Sequence, residues 1–190
     1  MARFSVFLDA CVLVPIALAD TLLRLAEADL FRPLWSQRIL QETVAAIEAI
    51  HPELADGRAR RRAATMDAVF EDASVTGWEH LVERTHLPDS DDRHVVAAAQ
   101  LGRADLIVTM NLSDFPGERL SAFAMEVQHP DEFLLNLLDL DPDRTVRVLY
   151  EQARATHDPA ITLPALLGQL ARCGVPRFTE SAARQLWRGM

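Results

Sequence analysis

The chain has 190 residues, 49% of them apolar, and a formal net charge of −9. That is enough material for a real hydrophobic core and one domain of ordinary size with room for an appendage. It excludes a general nucleic-acid coat, whose hold on phosphates needs a basic surface, and because all 19 basic residues are arginine it removes every mechanism that requires a lysine.

Residues 3–8 form a short apolar run that stops at Asp9, too short for a membrane span or a secretory leader. Cys11 and Cys173 sit far apart in apolar surroundings, so reduced thiols in a cytoplasmic protein are expected, with no cysteine metal site. The run 3–8 predicts a strand. Apolar residues at 16, 18, 22, 23, 25 and 26 then predict a helix over 15–28, with Pro15 in its first turn.

A second strand is expected over 30–35. Ser36 is the expected N-cap of a helix carrying Ile39, Leu40, Thr43, Val44, Ile47 and Ile50 on one side, and Pro52 ends it. Residues 57–72 predict an amphipathic helix with a basic first half, and 73–77 a brief strand, while 79–84 stays ambiguous. Asp89 or Ser90 is expected to cap a helix through Gln100 that Gly102 closes. Residues 104–110 give the clearest buried strand, and 125–128 a weaker one.

Strands alternating with helices imply a parallel sheet and an α/β fold, whose ligands bind at the carboxyl ends of the strands. After Asp139 the pattern becomes helical, over 142–156, 164–173 and 179–187. The expected organisation is therefore a domain over 1–138 followed by a C-terminal helical extension over 139–190. Leu163, Leu166, Leu167 and Leu170 form a stripe that packs on the same chain or recruits a partner.

Four acidic residues stand where such a sheet places a site. Asp9 follows the first strand, where its alternative role is to cap the next helix. Glu42 lies in the helix entered at Ser36. Asp92 closes the run Asp89-Ser-Asp-Asp92, expected in the first turn of a helix, with Val95, Val96 and Ala99 on its own inward face. Asp114 follows the strongest strand, in Asn111-Leu-Ser-Asp114. Four carboxylates gathered in one crevice repel unless a divalent cation neutralises them, and an oxygen-only set suits Mg²⁺ or Mn²⁺ and disfavours zinc. His94 projects about 200 degrees around the helix from Asp92 and is a poor ligand. The basic run Arg58, Arg60, Arg61 and Arg62 reads equally as a phosphate-binding face for RNA and as a solvated helix face.

These pieces together resemble the PIN-domain ribonucleases, and more narrowly the VapC-type toxins of bacterial toxin–antitoxin pairs. The matching stretches are Phe-Leu-Asp9, the helix start from Ser36 to Glu42, Asp92-Arg-His-Val-Val-Ala-Ala-Ala99, and Val108-Thr-Met-Asn-Leu-Ser-Asp114-Phe. The resemblance implies a three-layer α/β/α domain and an endoribonuclease that uses Mg²⁺ or Mn²⁺. It also implies an RNA substrate, a cognate antitoxin protein as partner, and a homodimer. Carried over by position, Asp9, Glu42, Asp92 and Asp114 are the catalytic and metal-holding acids, with Asn111 beside them and Asp91 and Asp89 as supporting neighbours. The helical tail departs from the compact toxins.

Phosphoacceptor receivers and haloacid-dehalogenase-like phosphatases share the outline but rely on a lysine. No Gly-x-Gly-x-x-Gly follows the first strand, which weakens a dinucleotide-binding reading. The alternative outside enzymology is a catalytically silent PIN-like scaffold that binds RNA or a protein partner.

Overall fold

A computed structural model of the chain describes residues 4–189 apart from 86, 88 and 156–160. In chain order its regular elements are β1 (Ser5–Leu8), α1 (Ala10–Leu13), α2 (Ile16–Glu27), β2 (Arg32–Ser36), α3 (Gln37–Ile50), α4 (Arg58–Val69), β3 (Ser74–Val75), α5 (Arg93–Leu101), β4 (Leu106–Val108), α6 (Gly117–Leu120), β5 (Glu126–Gln128), α7 (Pro130–Leu140), α8 (Pro142–Ala155), α9 (Leu163–Arg172) and α10 (Pro176–Ala183), with short 3₁₀ turns between some of them. The ambiguous stretch at 79–84 is such a turn. The expected end of a helix at Thr156 lies outside the described residues.

The five strands form one parallel sheet in the order β3-β2-β1-β4-β5. β1 is central, and Val6, Phe7 and Leu8 are fully buried, as a parallel strand covered on both faces requires. The edges are short: β3 has two residues, and β5 exposes Glu126. Short edges limit pairing with other chains.

Local signals account for most element ends. Ser36 caps α3, its Oγ accepting from the Ile39 N–H at 3.3 Å, and α3 stops before Pro52, which disfavours helical backbone in the residue ahead of it. α5 ends at Gly102, where a Cβ would come within 2.8 Å of Val75 Cγ2 and 3.1 Å of Leu34 Cδ1. Only glycine lets that helix end lie against strands β2 and β3.

The backbone divides into two compact units. One comprises Met1–Val14 and Arg32–Gln128, and holds the whole sheet; the other comprises Pro15–Phe31 and His129–Met190. A division at residue 138 would therefore cut α7 and part α2 from the helices it packs on. Within the second unit the Thr21 hydroxyl donates to Gln152 Oε1 at 2.7 Å, and Gln152 Nε2 donates to the Ala17 carbonyl at 3.0 Å. Phe31 and Phe133 meet edge to face at 5.1 Å. Leu163, Leu166, Leu167 and Leu170 are all buried, so the stripe on α9 packs on its own chain.

Two elements differ from expectation. α7 falls in a stretch where no helix was expected, although Pro130 at its start and Asp131 and Glu132 in its first turn are ordinary opening signals. α10 begins at Pro176 rather than near residue 179, because the buried carboxylate of Asp131 on α7 accepts from the N–H groups of Phe178 at 2.8 Å and Arg177 at 3.3 Å. That cap comes from 46 residues away, beyond any local pattern. Among the described residues no helix is long and apolar enough to cross a membrane.

Candidate active site

In a sheet of this order the crevice lies beyond the carboxyl ends of β1 and β4, where the strand order reverses direction. The register pairs Leu8 with Val108, so Asp9 and Thr109 emerge side by side. Asp9 is 9% exposed and held at both oxygens. Oδ1 accepts from the Ala10 N–H at 2.7 Å, and Oδ2 accepts from the Thr109 hydroxyl at 2.7 Å and from the Cys11 thiol at 3.1 Å. Asp9 thus caps α1 and lines the crevice at once.

Cys11 is a donor here and not a nucleophile: burial, and next the charge of Asp9, push its thiol up to about 12. Its sulfur also accepts from the Met110 N–H at 3.2 Å, stitching α1 to the loop after β4. Neither Thr109 nor Cys11 stood out as a site residue in the sequence. The signal that finds Thr109 is its position one residue past β4, opposite Asp9.

Asp92 sits just before α5, which begins at Arg93, and its side chain makes no capping bond. The expected first-turn placement of Asp89, Asp91 and Asp92 is therefore corrected. They form the turn that leads into the helix, with Asp89 Oδ1 accepting from the Asp91 N–H at 2.8 Å. Partial burial, then the charges of Asp114, Asp9 and Asp89, push the Asp92 carboxyl up to about 6. Asp114 lies half-buried in a 3₁₀ turn and accepts from the Ser113 hydroxyl at 3.2 Å. Asn111 is exposed, and its N–H donates to Thr109 Oγ1 at 3.1 Å. Asp91 is exposed.

Glu42 is held from its own side of the helix layer by two donors. Its Oε1 accepts from Arg38 Nε at 2.9 Å and from His94 Nε2 at 3.1 Å. Burial raises its carboxyl, but those hydrogen bonds and charges outweigh burial and hold it below the usual range. His94 is buried, and its ring lies 5.9 Å from that of Trp78. The turn around α5 that makes His94 a poor companion for Asp92 directs it to α3 instead.

The arginines divide. Arg58 Nε donates to Asp56 and its NH2 group to the Glu53 carbonyl, while Arg60 lies 3.6 Å from Glu48. Arg62 is half-buried and donates to the Leu13 carbonyl at 2.8 Å and the Val14 carbonyl at 3.4 Å. It ties α4 to the end of α1. Arg61 is exposed. Between α3 and α4 runs a groove of about 660 Å³ lined by Leu40, Val44, Ala63 and Ala64 with Glu48 and Arg60; Asp9, Asp92 and Asp114 are not among its lining residues.

Among the described residues no three His, Cys, Asp or Glu side chains stand in ligating contact around one point. The donor chemistry nevertheless fits a hard divalent cation. Asp9, Asp92 and Asp114 offer oxygen alone, from three separate segments, and the charged form of Asp92 is disfavoured by the other two. A stability consequence follows directly. Asp92 binds its proton more tightly in the folded chain than in the unfolded one, so between about pH 4 and pH 6 stability falls as pH rises. After discounting for solvent screening of a half-exposed group, the loss above that window is about 1 kcal/mol. Urea unfolding of the wild type and Asp92→Asn at both ends of the window, without divalent ions, will show a variant that is more stable at neutral pH and loses that advantage at pH ~4.

Comparison with known proteins places this geometry. The family described as PIN domain matches residues 5–113, more than half of the chain. The chain belongs to the PIN domain family. Its three-layer α/β/α class is that of the PIN fold. The family described as VapC50 C-terminal domain matches residues 130–184, which contain α7 to α10. A curated protein of Mycobacterium tuberculosis (strain ATCC 25618 / H37Rv), named "Putative ribonuclease VapC50", is 43% identical over 93 residues, which cover 49% of this chain and 54% of that relative. The matched stretch thus spans about half the length of the relative. No solved structure matches the chain.

Proposed function

We propose that this PIN-domain protein is an endoribonuclease of the VapC toxin type that hydrolyses RNA phosphodiester bonds with Mg²⁺ or Mn²⁺. The observation that carries the reading is that Asp9 after β1, Asp114 after β4 and Asp92 ahead of α5 lie close enough to act on one another, their charges adding to partial burial in pushing Asp92 up to about 6. Such a set costs stability unless a cation uses it. The likeness to the mycobacterial relative supports the same reaction class. A cognate antitoxin protein as partner and a homodimer as the assembly are part of the same proposal.

Asp9, Asp92 and Asp114 would hold the ion, with Glu42 at its margin. When bound, a divalent ion supplies charge stabilisation at the phosphoryl oxygens and acidifies water. The residues of the chain set the geometry: Thr109, Cys11 and the Ala10 N–H fix both oxygens of Asp9. The Asp92 carboxylate is not engaged in capping α5. Exposed Arg61 and Arg60 offer guanidinium groups to an RNA backbone.

One observation favours the silent-scaffold reading, namely that Glu42 is taken up by Arg38 and His94. A single experiment separates the two. Purified protein is expected to cut a mixed single-stranded RNA pool in Mn²⁺, to stop on addition of EDTA, and to resume when Mn²⁺ is restored. Mn²⁺ should also raise its melting temperature, and that rise should vanish in Asp92→Asn. RNA that stays intact in Mn²⁺, with no thermal shift, would leave the scaffold reading standing.

A further inference from the structure

The contact between His94 and Glu42 has no assigned purpose in the PIN site as built so far. His94 leaves 3% of its side chain exposed, against 38% for Glu42. Its Nε2–H donates to Glu42 Oε1, while its Nδ1 is buried with no hydrogen-bond partner among the described residues. The tautomer with the proton on Nε2 is the one that this geometry satisfies.

Burying an imidazole and leaving one nitrogen unpaired is unfavourable. A leucine in the same space would avoid that desolvation and pack as well. The polar ring therefore needs a reason beyond packing. Arg38 supplies the second donor to the same oxygen, at 2.9 Å. All the hydrogen bonds that Glu42 makes with described residues end on Oε1, and its partly exposed Oε2 accepts none. Two donors on one oxygen fix the carboxylate plane and leave the other oxygen free to bind.

We propose that His94 is a positioning residue: it ties Glu42 on α3 to the helix that follows Asp92, and presents Glu42 Oε2 as the fourth oxygen of the cation site. This deepens the ribonuclease reading and rests on it. Helix α5 is the common frame, because it carries Asp92 at its start and His94 in its first turn. Arg38, one turn before Glu42 on α3, supplies the second hold on the same oxygen.

The test is Mn²⁺ binding to the full chain, measured by calorimetry, alongside RNA cleavage. His94→Leu should weaken Mn²⁺ affinity by about 10–100-fold, the usual effect of losing a residue that orients a metal ligand. It should lower kcat while leaving KM for RNA unchanged. Glu42→Gln should weaken binding similarly, and His94→Leu combined with Glu42→Gln should be no worse than Glu42→Gln alone, since both act through one oxygen. His94→Gln, whose amide N–H extends as far as Nε2, should recover most of the affinity. His94→Asn, whose amide is shorter, should not. That last pair carries the test if the leucine variant does not fold. Wild-type Mn²⁺ affinity in both His94→Leu and His94→Asn, or losses that add in the double variant, would overturn the inference while leaving the ribonuclease reading intact. A wild-type chain that binds no Mn²⁺ would overturn both.

Discussion

Replacing Asp9 or Asp92 by asparagine is expected to drop RNA cleavage to background, a loss of at least about 10²–10³-fold, the scale on which preorganised electrostatic groups act. The two variants should differ in stability. Asp92→Asn removes a charge that three neighbouring aspartates oppose, so without divalent ions it should gain about 1 kcal/mol at neutral pH after discounting for exposure, or about 2–4 °C in melting temperature for a chain of this size. Asp9→Asn should change stability little. Its remaining oxygen can keep the Ala10 N–H, and its new amide can donate to Thr109, whose hydroxyl is able to reverse its role. Loss of activity in both variants, with stability raised in one and unchanged in the other, would tie the chemistry to charge rather than to folding. Cleavage at wild-type rates by both variants, with contaminating nuclease excluded, would remove the aspartates from the mechanism.

A chain ended at residue 138 should lose the second compact unit. It would keep α2 and most of α7 without α8, α9 and α10. Thr21 would lose Gln152, and the buried carboxylate of Asp131 would lose the N–H groups of Phe178 and Arg177. Thr21 keeps its bond to the Ala17 carbonyl, whereas the Asp131 carboxylate left without its donors costs about 1–3 kcal/mol. Uncovering buried leucines and phenylalanines of α2 and α7 adds about 1.5–3 kcal/mol for each one fully exposed. Those costs together rival a total stability of about 5–15 kcal/mol. Circular dichroism melting and limited proteolysis should therefore find α2 and α7 unfolded or readily cut in the shortened chain. Within the full chain, Asp131→Ala should cost about 1–3 kcal/mol by the same reasoning. If the shortened chain melts at the temperature of the full one, the tail is an appendage and the second unit is not cooperative.

Much of this could be read directly from the residues. The run ending at Asp9, the Ser36 cap, the stop at Pro52, Gly102 closing α5 and the strand before Asn111 are all local, because capping, backbone restriction and apolar period act over a few residues. The α/β class followed from their alternation, and the acidic character of the crevice from where parallel strands end. The opening signals of α7, Pro130 with Asp131 and Glu132, are equally local.

Other features depend on contacts between residues far apart in the chain. Asp9 meets Thr109 only through the β1–β4 register, across 100 residues. His94 reaches Glu42, Arg62 turns to the carbonyls of Leu13 and Val14, and Asp131 caps α10. α2 joins the C-terminal helices although more than a hundred residues separate it from them. Residue types and their spacing determined which elements form and which acids stand at their ends. Only closure of those long loops decided which donor each acid meets, because hydrogen-bond geometry is set by the packed backbone and not by distance along the chain.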